Sequence, residues 1–109
     1  MTILETVQII GDALTQLDLL LADPNLPSSD AAWQQAFALR KHLDDQQRQL
    51  VATEIDDSTA QFAQATSQLQ ASDAALKKIG ADITKVASVI TIAATIASAA
   101  DQLLALAAL

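Results

Sequence analysis

DAAWQQAFALRKHLDDQQRQLVATEIDDSTAQFAQATSQLQASDAALKKI, residues 30–79, runs for fifty positions without Gly or Pro. Ala, Gln and Leu dominate it, and all three are good helix formers. Ile55, Phe62, Leu69 and Leu76 recur every seven residues, and Ile83, Ile90, Ala97 and Leu104 continue the same phase. Three positions beyond the later members stand Ala65, Ser72, Ile79, Val86, Ala93, Ala100 and Ala107, all small or apolar. Such a seam over several heptads marks helices packed side by side, knob into hole. The stretch predicts one long central helix, about residues 30–79. The one place where it would divide is Asp56-Asp57-Ser58, since Ser58-Thr59-Ala60-Gln61 matches a capping box.

Toward the N-terminus, Thr2-Ile3-Leu4-Glu5 is another capping-box match. After it Ile3, Val7, Ile10, Leu14, Leu17 and Leu21 alternate steps of four and three, with Leu4 and Leu20 widening the stripe. This predicts a helix over about 3–22. Asp23-Pro24-Asn25-Leu26-Pro27-Ser28-Ser29 ends it, because proline cannot donate to the helical ladder and disfavours αR in the preceding residue. Ser28, Ser29 or Asp30 is then able to cap the central helix.

Toward the C-terminus, Lys77-Lys78-Ile79-Gly80 reads as a helix end, with lysines at the negative pole and Gly able to adopt αL at the position just past the helix. Asp82 is placed to cap an apolar helix over about 82–107. The unbroken heptad phase makes a continuous helix through Gly80 the competing reading. The whole chain, 1–109, is expected to be a single all-α domain. Its predicted form is an elongated antiparallel hairpin or bundle, with both outer helices folded back on the long central one. That central helix would be about 75 Å long at 1.5 Å per residue. A break at Asp57 would instead give a compact up-down four-helix bundle.

The composition suits such a fold. Of 109 residues, 51% are hydrophobic and only 3% aromatic, and two Gly and two Pro are too few for an all-β chain. The absence of Cys excludes disulfides and thiolate chemistry. A net charge of −7 argues against nucleic acid as a partner. Residues 1–76 carry three basic and eleven acidic side chains, whereas Lys77, Lys78 and Lys85 face only Asp82 and Asp101 beyond them. Met1–Gly11 has no basic region before its apolar residues, so no secretory signal is read there. A cytoplasmic location, or export by a signal-less route, is the expectation.

Catalytic, cofactor and metal sites are expected to be absent. His42 is the sole histidine, and with Asp45, Arg40, Lys41, Asp44 and Arg48 it reads as a solvated face. Glu54, Asp56 and Asp57 read as solvated acids, and no phosphate-binding glycine loop or EF-hand loop occurs. Function is sought in association instead. Trp33 and Phe37, at i and i+4, form an aromatic ridge that either packs on Leu26 and the end of the first helix or anchors a partner.

The C-terminal segment is apolar on several faces. Ile83, Ile90 and Leu104 share the heptad stripe with Phe62, Leu69 and Leu76, and Val86 lies on its small-residue companion row. Val89, Ile92, Ile96, Leu103 and Leu106 point elsewhere, and a rod two helices thick cannot bury them. The expected function is therefore a non-enzymatic self-assembly or helix-binding module. The expected partner is a second copy of the chain or another helical protein. In pattern alone, the last half of the chain resembles helical pore-forming toxins. That implies the alternative, a small membrane-active or membrane-anchored protein inserting residues 83–109.

Overall fold

Thr2 starts the first helix as its spacing to Glu5 predicts: its backbone is extended and its hydroxyl accepts the Glu5 amide at 3.2 Å. The helix, α1, spans Ile3–Leu21 and buries Ile10, Ala13, Leu17 and Leu20. Leu4, assigned to the same stripe, stands 66% exposed. The computed structural model describes residues 2–107 except 81 and 82, with Ile83 described in its backbone only. Asp23 folds the proline-containing turn by accepting the Asn25 amide at 2.8 Å, and Leu26 plugs it, 6% exposed. Of the three candidate caps Asp30 serves, accepting the Ala32 amide at 2.8 Å ahead of α2, Ala31–Ala52.

The fifty-residue central helix does not form. The chain leaves the helical conformation at Thr53 and resumes it in α3, Ala60–Ile79. Asp56 turns the connection by accepting both the amide and the hydroxyl of Ser58, which hold its carboxylate below the ordinary range. Thr59, one residue beyond the expected Ser58, caps α3 by accepting the Phe62 amide at 3.1 Å. Two forces favour the break. Asp56 and Asp57 set negative charge just ahead of the positive pole of α3, and Asp, Ser and Thr offer the backbone local alternatives to the helix. The break also lets α3 and the last helix fold back onto the first two, burying stripes that a straight rod would leave wet.

Gly80 ends α3 as predicted, with its amide on the Leu76 carbonyl at 2.9 Å, but its backbone, φ 66° and ψ −159°, shares only the positive φ of the expected αL conformation. The cap assigned to Asp82 lies outside the described residues. A 3-10 turn, Ile83–Lys85, leads into α4, Val86–Ala107. Among the described residues these four α-helices make a compact body of 44 × 23 × 17 Å with a radius of gyration of 13.9 Å. About 13 Å is usual for a domain of this size. The extended rod is therefore replaced by a bundle, since a helix of about 75 Å exceeds its longest dimension.

α1 and α2 pack as an antiparallel pair, with Val7 against Gln47 at one end and Leu21 against Trp33 at the other. α3 and α4 make the second extensive pair. The two hairpins join chiefly through α2 and α4, and more sparingly through contacts of α1 with α3 and α4. α4 thus touches all three other helices. Ala93, Ala97, Ala99 and Ala100, all buried, let those neighbours approach closely around Val89, Ile96 and Leu103. Thr6 and Thr66 are accommodated inside because each hydroxyl donates to the carbonyl four residues back.

Candidate interaction surface

The residues expected to meet a partner divide by depth. Phe62, Leu69, Leu76, Val89, Ile96 and Leu103 are core, none more than 2% exposed. Trp33, Val86, Ile90, Ile92, Leu104 and Leu106 are partly buried and pack on that core. Phe37 stands 42% exposed, and the side chain of Ile83 is outside the described residues. The surplus apolar faces of α4 are thus largely covered within the chain. The premise of a rod two helices thick fails here, because α4 has three helical neighbours instead of one.

What α4 leaves outside is a different surface. Ala87, Ser88, Thr91, Ala94 and Ser98 are exposed along it, and no charged side chain occurs from Val86 to Ala100. Thr91 and Thr95 donate their hydroxyls back to Ala87 and Thr91 carbonyls at 3.0 and 3.1 Å. Their donors are thereby engaged by their own helix. Gln35 of α2 and Gln68 of α3 flank a shallow hollow of about 560 Å³ over Ile90, Ala94 and Ser98.

Trp33 belongs to the fold. Its indole N–H donates to the Leu21 carbonyl at 3.0 Å, satisfying an end of α1 across the proline turn. Phe37 stacks on it at 5.2 Å with an interplanar angle of 10°, and Lys41 Nζ lies 5.4 Å from the Phe37 ring centre. Trp33→Phe keeps an aromatic ring but removes the indole donor together with the five-membered ring that carries it. It should cost at least about 1 kcal/mol of stability, the usual net worth of one hydrogen bond, with the lost ring atoms adding to it. A urea titration unchanged by the substitution would refute that role.

The polar face read as solvated is in part a set of clasps between helices. Arg40 Nε donates to Asp18 at 2.9 Å, an exposed pair that raises the Arg40 guanidinium above its ordinary value. His42 Nε2 lies 3.4 Å from Asp101 of α4. Gln46, which sequence reasoning missed, is 1% exposed and donates to the Ala97 carbonyl at 2.8 Å and to Asp101 at 2.7 Å. Asp73, also missed, is 9% exposed between α3 and α1. It pairs with Lys77 at 3.0 Å, and Lys77 reaches Asp12 of α1 at 3.4 Å. Both had a signal: Gln46 lies between Leu43 and Leu50, and Asp73 between Leu69 and Leu76, on apolar stripes where a polar side chain must find a partner.

Among the described residues, no three His, Cys, Asp or Glu side chains group closely enough to hold a metal ion. α4 is long and apolar enough to cross a membrane by length and composition. Comparison with known proteins finds no matching family, no matching curated protein and no matching solved structure.

Proposed function

We propose that the protein is a non-enzymatic helical association module whose outer α4 strip meets a second copy of the chain. The observation that carries this reading is the charge-free strip of small side chains on a molecule of net charge −7. Two such molecules repel through their acidic faces and can approach closely only where no carboxylate stands. Ala87, Ala94 and Ser98 allow a short distance between helix axes. Gln35 and Gln68 carry both donors and acceptors, so the rim can complement itself across a two-fold axis. The apolar stripes of α1–α4 serve the fold, and the strip between Gln35 and Gln68 serves assembly.

Light scattering without detergent at micromolar concentration should give a mass above the 11.5 kDa of one chain. Ala94→Glu should return the mass to that of a monomer while leaving helicity intact, since it sets like charges face to face at a cost of several kcal/mol. A monodisperse wild-type monomer overturns the proposal.

A helical partner other than a second copy would use the same strip. The membrane reading rests on a separate observation, the length and apolar content of α4. Lys78 and Lys85 stand exposed near its start, where anionic headgroups would attract each by about 1 kcal/mol. Insertion would first have to open the bundle, because Val89, Ile96 and Leu103 point inward. Co-sedimentation with anionic liposomes and release of trapped dye at physiological salt would support insertion. Absence of both removes it.

A further inference from the structure

We propose that Asp12 and Asp73, sharing Lys77 across the contact of α1 with α3, form a proton-operated latch between the two hairpins. The latch holds a proton when α1 is seated on α3 and releases it when that contact loosens. Three observations carry it. Asp73 is 9% exposed, and its Oδ1 is buried without a hydrogen-bond partner. A single ammonium, Lys77, answers two carboxylates, at 3.0 Å from Asp73 and 3.4 Å from Asp12. The contact they occupy is one of the sparser ones between the hairpins, so a local imbalance there weighs heavily.

Among the described residues, the other groups facing this notch do not complete the compensation. α1 contributes Glu5 beside Gln8 and Asp12, adding negative charge, and α3 contributes Gln70. α4, packed on α3, carries no charge from Val86 to Ala100, and its Asp101 is engaged by Gln46 and His42. Burial pushes the Asp73 carboxyl above its ordinary range, Lys77 opposes that, and the Asp12 carboxylate reinforces it. A proton on Asp73 gives the buried carboxyl a hydrogen to donate, and Asp12, which lines the same notch, is the side chain that would accept it.

The direction follows from linkage. A carboxyl whose folded value is raised binds its proton more tightly folded than unfolded, so stability rises as pH falls through the folded value. The gain is complete below the ordinary carboxylate value and absent well above the folded one. Lowering the pH through the folded value therefore tightens the latch, and raising it above that value loosens it. This prediction is independent of self-association.

Two measurements on the full chain test it. A carbon-13 titration of the wild-type carboxyl groups should place Asp73 above the ordinary Asp value of about 3.9. A midpoint one pH unit higher corresponds to about a tenfold gain in the folded-to-unfolded ratio on acidification. Urea unfolding from pH 8 down through the measured Asp73 midpoint should show wild type gaining more stability than Asp73→Asn. Asp12→Asn should flatten the profile in the same sense, because it removes the acceptor and the like charge. The proposal is overturned if Asp73 titrates at or below the ordinary value, or if wild type and Asp73→Asn have parallel profiles. Should Asp73→Asn fail to fold, the wild-type titration alone decides.

Discussion

Ile96→Asp should leave the chain unfolded at 25 °C. Ile96 is fully buried on α4, the helix that touches all three others. Removing its aliphatic side chain costs about 2–5 kcal/mol when the site cannot collapse. Placing an unpaired carboxylate in the same volume adds several kcal/mol, or forces the group to take up a proton. α4 itself offers no cation to compensate, since its charge-free run extends on both sides of the position. The sum approaches or exceeds the whole stability of an ordinary domain, about 5–15 kcal/mol. Far-UV circular dichroism should show loss of helix, and amide proton dispersion should collapse. Gln102→Asp, on an exposed position of the same helix, should keep both. A cooperative, native-like thermal transition in Ile96→Asp would show that α4 does not occupy the core.

Gly80→Ala should be the most damaging substitution outside the core. The residue sits at φ 66° and ψ −159°, a combination essentially restricted to glycine. A methyl group there would meet nothing within 4 Å, so the penalty is purely conformational. It should amount to about 1–3 kcal/mol. For a chain of this size each kcal/mol lowers Tm by roughly 4 °C or more, which calorimetry resolves readily. The variant also restores an uninterrupted helix-forming run across the turn, with the heptad phase of Leu76, Ile83 and Ile90 preserved. Continuation of the helix then competes directly with the fold-back of α4. An unchanged Tm would mean that the turn does not depend on this backbone conformation.

These two positions differ in how readable they were. Gly80 was legible as the favoured stop: two lysines and a glycine at the end of an apolar period make a local signal, although the heptad phase through it kept a continuous helix in competition. The cap at Thr2, the proline turn with three candidate caps of which Asp30 serves, and the apolar stripe of α1 were legible for the same reason. The role of Ile96 was not. Its apolar character was evident, but it read as surface seeking a partner, because the central helix was expected to stay straight. Once the chain breaks at 53–59, α4 gains α2 as a neighbour as well as α3, and its extra faces are used inside one molecule. The candidate association surface moved accordingly, from the large side chains of α4 to the small ones at Ala87, Ala94 and Ser98.

The amino-acid sequence by itself determined the helical content, three of the four helix starts and stops that could be judged from caps and glycine, and the apolar stripe on each helix. Those features depend on hydrogen bonds and side-chain spacing within a few residues of one another. The tertiary structure alone decided whether Asp56-Asp57-Ser58 would break a helix whose heptad phase runs straight through it. It also decided that Gln46 would clasp Asp101 and that Asp73 and Asp12 would share Lys77. An apolar stripe is degenerate, in that it gains about the same from burial against any other stripe of similar width. The choice among partners comes from which arrangement covers the most faces at once, and α4, apolar on more than one side, is satisfied only where three helices surround it.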